Sequence, residues 1–127
     1  MRPDRVVLGG RSPHALAIMK DIYLPLYLGD TPIVTMDNDA AELAKYACNA
    51  FLSVKISFIN EMANVCDALG VNVPDVARVL GLDRRIGPKF LQAGPGFGGS
   101  CFPKDTRALI AVARDLGCEV PVVEGAY

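Results

Sequence analysis

The chain has 127 residues, enough for one domain with a buried core. Apolar residues make up 51% of it and mean hydropathy is +0.28, so part of its surface is expected to meet another chain or a further domain. A net charge of −1 gives no basic field for nucleic acid, no apolar run reaches the length of a membrane span, and no secretory signal is read at the start.

The first elements form a strand, a helix and a strand. Arg5-Val6-Val7-Leu8-Gly9-Gly10 reads as a short buried strand running into a glycine turn. Ser12 can cap a helix with Pro13 at its first position, continuing through Lys20, and Pro25 is expected to kink or end it. His14, the single histidine, has no nearby partner in sequence and suits a solvated or capping role. Gly29-Asp30-Thr31-Pro32 reads as a turn and Pro32-Ile33-Val34-Thr35-Met36 as a second strand. Two strands are too few to close a sheet, so residues 1–37 are expected to be the edge of a larger α/β domain.

Asp37 or Asn38 can cap the next helix, from about 38 to Gly70, which is roughly 45–50 Å long at 1.5 Å per residue. Leu43, Ala47, Phe51, Val54, Phe58, Met62, Val65 and Leu69 recur at spacings of three and four, giving one apolar stripe. Ala40, Ala44, Cys48, Leu52, Ile59, Ala63 and Cys66 give a second. A helix apolar around most of its girth must sit at the centre of a bundle, shared with a second copy. Lys45 and Asn49 lie one turn apart on it, a cation and an amide among small apolar neighbours. A solvated lysine is the plain reading; a clamp for a negative oxygen is the functional one.

After Gly70, residues 73–80 read as a short helix ending at Gly81. Asp83-Arg84-Arg85 follows, either a solvated surface pair or a phosphate contact, and Pro88-Lys89-Phe90-Leu91-Gln92-Ala93 reads as a last helical turn. Next comes Gly94-Pro95-Gly96-Phe97-Gly98-Gly99-Ser100-Cys101-Phe102-Pro103-Lys104-Asp105. Gly94-x-Gly96-x-x-Gly99 fits the dinucleotide fingerprint in letters, but no buried strand precedes it, so it is not one. A helix starting with Pro103 at its first position is expected to run through Leu116 and stop at Gly117.

Cys101 then stands between a glycine-rich loop and a helix N-terminus, with Lys104 three residues on. Unpaired N–H groups, the helix dipole and the ammonium all favour the thiolate, the reactive form. The functional reading is a nucleophilic cysteine beside a loop that cradles a polar ligand; the plain reading is a small thiol in a tight turn. The other cysteines, Cys48, Cys66 and Cys118, make no C-x-x-C pair. No metal site is expected, and the thiols are expected to be reduced in a cytoplasmic setting.

The segment Gly96-Phe97-Gly98-Gly99-Ser100-Cys101-Phe102-Pro103-Lys104-Asp105 closely resembles the active-site segment of the UDP-glucose/GDP-mannose dehydrogenase family. The resemblance extends to residues 41–52 (Ala-Glu-Leu-Ala-Lys-Tyr-Ala-Cys-Asn-Ala-Phe-Leu) and to Arg85-Ile86-Gly87-Pro88-Lys89-Phe90-Leu91, and covers nearly the whole chain in the family's order. It implies a mostly α fold: a helical dimerisation domain, residues 38–127, built on one long central helix, with residues 1–37 a remnant of an α/β NAD-binding domain. It implies a homodimer through the long helix 38–70 and NAD as cofactor. The implied reaction is four-electron oxidation of a nucleotide sugar at C6, UDP-glucose in preference to GDP-mannose.

The same resemblance assigns Cys101 as the nucleophile, Lys45 and Asn49 as the clamp on the oxygen that turns negative, and Asp105 as the holder of a water. It assigns Lys104 to the cofactor side, Arg85 to the sugar nucleotide of the neighbouring copy, and Phe90, Leu91, Gln92, Gly94, Gly96, Phe97 and Gly98 to the substrate, largely through their backbone. It also implies that the rest of the site comes from segments outside this chain, so that the chain alone is silent. Competing readings are a purely structural dimerisation module and, less well supported for want of a nearby resolving cysteine, a redox-sensing thiol protein.

Overall fold

The structure is a computed structural model and describes residues 3–27 and 31–127. Its elements are β1 (Val6–Gly9), α1 (Pro13–Tyr27), β2 (Ile33–Met36), α2 (Asn38–Leu69), α3 (Val73–Leu82), α4 (Cys101–Asp115) and α5 (Pro121–Ala126). It is mostly helical and built along one long helix. Two compact units are distinguished, residues 1–45 and 46–127, with the division falling inside α2.

In the first unit β1 and β2 pair in parallel, Val6 opposite Ile33 and Gly9 opposite Met36. Parallel neighbours need a crossover, and α1 supplies it. Ser12 Oγ accepts the N–H of Ala15 at 3.3 Å, the cap expected of it. Pro25 does not end the helix, which runs on to Tyr27. The proline lies in the last turn, where its missing N–H removes one bond and little helix follows. The turn at 29–32 lies partly outside the described residues; Thr31 is buried, and its hydroxyl donates to the Pro3 carbonyl at 3.3 Å. Gly9 is required by packing, since a Cβ there would stand 2.8 Å from that of Ala41.

Asp37, not Asn38, caps α2: its Oδ1 accepts the N–H of Ala40 at 2.8 Å. The helix ends as expected at Gly70, which takes φ +68°. The Val71 N–H reaches the Cys66 carbonyl at 2.9 Å and the Gly70 N–H that of Asp67 at 3.2 Å, a Schellman ending. In the second unit the two apolar stripes fare differently. Ile59 and Cys66 are 0% and 4% exposed, whereas Phe51 and Leu69 on the other stripe are 63% and 71% exposed.

Helix α3 runs one residue past Gly81. That glycine is not a stop but a contact point, because a Cβ on it would lie 2.9 Å from Pro88 Cα. Residues 88–93 are not a helical turn: Phe90 has φ +64°, outside the right-handed region, so the chain turns there and then extends. Helix α4 starts at Cys101, two residues ahead of the expected Pro103. Pro103 is still in the first turn, where no intrahelical donor is needed. The other end is as expected, with Gly117 at φ +70° and the Cys118 N–H bonded to the Ala113 carbonyl at 2.8 Å. A further helix, α5, ties back to α2 where Ser57 Oγ donates to the Ala126 carbonyl at 3.0 Å.

Candidate active site

Cys101 is the first residue of α4 and is exposed. The residue before it, Ser100, makes no side-chain cap to the helix; its hydroxyl lies 3.7 Å from Cys101 Sγ instead. None of the four cysteines is in a disulfide. One turn further along α4, Asp105 is 3% exposed. Its Oδ2 accepts from Asn49 Nδ2 of α2 at 2.5 Å, and its Oδ1 pairs with the Lys104 ammonium at 2.5 Å. The hydrogen bond to Asp105 raises the Lys104 pKa above its usual value, and the charge of Asp105 adds to it, with smaller help from Tyr46 and Cys101. Asn49 keeps a second N–H, since its amide carries two.

Below this pair sits a buried hydroxyl pair. Ser53 and Thr106 are both fully buried, their oxygens 3.3 Å apart, and Ser53 Oγ also donates to the Asn49 carbonyl at 3.0 Å. Asn49 and Ser53 are one turn apart on α2; Asp105 and Thr106 are neighbours on α4. The site is thus two rungs between two helices, one charged and one neutral.

Arg85 is exposed, and its guanidinium is forked onto Asp83, Nη2 to Oδ2 at 2.6 Å and Nε to Oδ1 at 3.0 Å. The fork raises the Arg85 pKa and lowers that of Asp83. Further on, Phe90 packs edge-on against Phe102 with ring centroids 5.9 Å apart, and Phe97 meets the same ring at 6.4 Å. Leu91 turns its side chain inward and is buried, while Gln92 and the glycine loop are exposed. The Gly94 N–H is already given to Asn60 Oδ1 at 2.8 Å. A cleft of about 480 Å³ lies between α2 and this segment, lined by Ile56, Pro88, Lys89, Phe90, Gln92 and Gly96.

Of the residues singled out from sequence, the second unit brings Asn49, Lys104 and Asp105 into direct contact beside Cys101, and gathers Phe90, Gln92 and Gly96 on one cleft. Lys45 is exposed and belongs to the first unit. Arg85 is engaged with Asp83. Sequence reasoning missed Ser53 and Asn60. The signal was present: Lys45, Asn49, Ser53 and Asn60 fall at i, i+4, i+8 and i+15, a polar line set between the two apolar stripes.

The description "UDP-glucose/GDP-mannose dehydrogenase family, central domain" matches residues 39–127. The chain belongs to this family. It is 55% identical over 125 residues to a UDP-glucose 6-dehydrogenase of Rhizobium meliloti (strain 1021), covering 97% of this chain and 29% of that protein. It is 48% identical over 124 residues to the UDP-glucose 6-dehydrogenase TuaD of Bacillus subtilis (strain 168), covering 98% and 26%. Among solved structures, a UDP-glucose dehydrogenase from the hyperthermophilic archaeon Pyrobaculum islandicum superposes with a TM-score of 0.93 at 43% identity, over 98% of this chain and 28% of that one. The chain therefore spans under a third of the length of these family members.

The family is generally NAD-dependent, and the described residues do not form a dinucleotide site. Gly9 closes β1 and Gly10 follows it where a phosphate loop would lie, yet their faces are filled by the chain itself, a Cβ on Gly10 meeting Leu16 at 3.0 Å. Among the described residues no group of His, Cys, Asp and Glu could hold a metal ion, and no helix is long and apolar enough to cross a membrane.

Proposed function

We propose that this chain is the cysteine-bearing central part of a nucleotide-sugar 6-dehydrogenase that oxidises UDP-glucose to UDP-glucuronate. The observation that carries the reading is the exposed Cys101 one helical turn from an Asp105 already bonded to Asn49. The relatives named as UDP-glucose 6-dehydrogenases support the substrate. GDP-mannose is the alternative substrate.

The two oxidations need a hydride acceptor, a role that NAD⁺ would supply in the full-length protein. The first leaves an aldehyde, which has no hydride to surrender until a nucleophile adds to it. Cys101 Sγ adds to the carbonyl carbon, the oxygen takes the negative charge and then a proton, and a thiohemiacetal results. Loss of the second hydride and a proton gives a thioester, and water releases the carboxylate and the thiol. Asn49, through its second N–H, and Lys45 stabilise the oxygen that turns negative. Asp105 holds the water that moves protons and is itself oriented by Asn49. Lys104, its ammonium anchored on Asp105, presents a charge towards the cofactor side.

The glycine loop contacts the substrate through its backbone. Gly98 has ordinary φ and no atom within 4 Å of a Cβ built on it, so nothing within the chain demands glycine there and a ligand has room to approach its backbone closely. Phe90, Leu91, Gln92, Gly94, Gly96 and Phe97 complete that lining. Arg85, released from Asp83, reaches the sugar nucleotide of a second copy. The test is NADH formation from UDP-glucose by the full-length protein, with GDP-mannose as comparison; the isolated chain is expected to form none.

We further infer a homodimer through α2, whose Phe51, Phe58, Val65 and Leu69 stay exposed in one copy. The same face supports the second reading, a purely structural module. Sedimentation separates the points: Phe51→Asp should yield a monomer, and an unchanged dimer would remove α2 as its seat. Thiol alkylation of Cys101 no faster than that of an ordinary cysteine would favour the structural module. The expected compartment is the cytoplasm, with the thiols reduced.

A further inference from the structure

Segment 86–94 is tied to α2 at both ends. At one end Lys55 Nζ donates to the Ile86 carbonyl at 3.0 Å and to that of Gly87 at 3.3 Å. At the other, Asn60 Oδ1 accepts the Gly94 N–H at 2.8 Å. Lys55 and Asn60 are five residues apart, so their Cα atoms are separated by about 7.5 Å along the helix axis. The eight Cα-to-Cα steps from 86 to 94 would reach roughly 26–29 Å if extended. Lys55 and Asn60 also lie about 140° apart around α2, so the two tethers grip the segment from different sides of the helix, and the chain turns between them.

The reversal is written in the backbone. Gly87 has φ +72° and Phe90 φ +64°, and Phe90 is the one non-glycine residue with positive φ among the described residues. A bulky side chain in that region is costly and persists only where its surroundings fix it. Here the surroundings are the two tethers, the inward Leu91, and the contact of the Phe90 ring with Phe102. The segment lines the cleft of about 480 Å³ together with Ile56 of α2, which falls between the two tethers on the sequence.

We infer that Lys55 and Asn60 are positioning residues, which hold segment 86–94 against the cleft and so fix the Phe90–Gly98 lining before substrate arrives. They act through the backbone of that segment and need not touch the substrate. Neither residue is demanded by the packing of α2, since a lysine and an asparagine midway along a helix gain nothing from propensity over alanine. This inference rests on the reading of that lining as the nucleotide-sugar site.

The experiment takes Asn60→Ala, Asn60→Asp, Lys55→Met and Lys55→Arg in the full-length protein. It measures amide exchange at Gly94 together with KM and kcat for UDP-glucose. Asn60→Asp keeps an acceptor oxygen and Lys55→Arg keeps a cationic donor, so both should rescue. Asn60→Ala should speed Gly94 exchange and raise KM about three- to tenfold with kcat within about twofold, the scale of one lost hydrogen bond. Circular dichroism should stay unchanged, because alanine suits a helix at least as well.

Unchanged Gly94 exchange in Asn60→Ala would overturn the tether. Faster exchange with unmoved KM, or Asn60→Asp failing like Asn60→Ala, would overturn the positioning role. Failure of the functional reading looks different: the unaltered protein would then turn over no nucleotide sugar, while the exchange of Gly94 would still respond to Asn60.

Discussion

Asn49 donates to Asp105 across 56 positions of sequence, Nδ2 to Oδ2 at 2.5 Å. The contact joins α2 to α4 one helical turn from Cys101. A carboxylate that is 3% exposed needs such donors. Asn49→Leu keeps the bulk and removes the donor. It should lower stability by about 1–3 kcal/mol, the cost of leaving a buried acceptor short of a partner. Urea unfolding midpoints measure it, and a shift near zero would mean that Asn49 contributes nothing to holding Asp105.

The hydroxyl rung beneath predicts a non-additive pair. Ser53→Ala strands Thr106 Oγ1 in a dry site and should cost about 1–3 kcal/mol. Thr106→Val leaves Ser53 its bond to the Asn49 carbonyl and should cost less. The double variant should be less destabilised than the sum of the two, since no buried hydroxyl is then left alone. Strict additivity in a double-mutant cycle would dissolve the rung.

The Asp83–Arg85 fork gives a pH dependence with a definite sign. Asp83 has its pKa lowered from the ordinary 3.8, first by the side-chain bond to Arg85 and then by the backbone bond. A depressed carboxyl stabilises the folded chain above its unfolded pKa, and that contribution is lost as pH falls through the folded value. Carboxyl-carbon NMR titration should therefore place the Asp83 midpoint below that of an ordinary aspartate, and Arg85→Ala should move it back up. If it does not move, the fork is not what holds Asp83 down.

The glycine loop separates folding from function. Gly96 has φ +113° and Gly99 φ +79°, so alanine at either strains the backbone. Gly98 has neither reason. Gly98→Ala should leave the unfolding midpoint within about 0.5 kcal/mol of the parent and yet weaken UDP-glucose binding by the full-length protein. Calorimetry with the sugar nucleotide decides it, and undiminished affinity would show that the loop keeps its distance from substrate.

Much of the architecture was legible because it is local. The period of α2, the Asp37 region as its start and Gly70 as its stop are written in neighbouring residues, and each falls where the pattern puts it. The misreadings are also physical. Pro25 reads as the place where α1 kinks or ends, and the helix runs two residues past it, to Tyr27, because a proline in a last turn has little helix left to break. Gly81 reads as a stop, yet it serves the approach of Pro88, a contact that no local pattern announces. Residues 88–93 read as a helical turn by composition, and the tethers from Lys55 and Asn60 hold them otherwise. The site splits the same way: Cys101 and its loop stand out as a motif, whereas the Asn49–Asp105 bond exists only once α2 and α4 have met. The polar line through Asn49, Ser53 and Asn60 was readable, and was masked by the two apolar stripes beside it.

The most direct measurement is NADH formation by the full-length protein with UDP-glucose, repeated with Cys101→Ser. The account predicts two NADH and one carboxylate per UDP-glucose from the parent; the variant, whose hydroxyl is a poor nucleophile towards the aldehyde, should form no carboxylate and at most the NADH of the first oxidation. Undiminished formation of the carboxylate by Cys101→Ser, or no turnover by the parent on any nucleotide sugar, would contradict it.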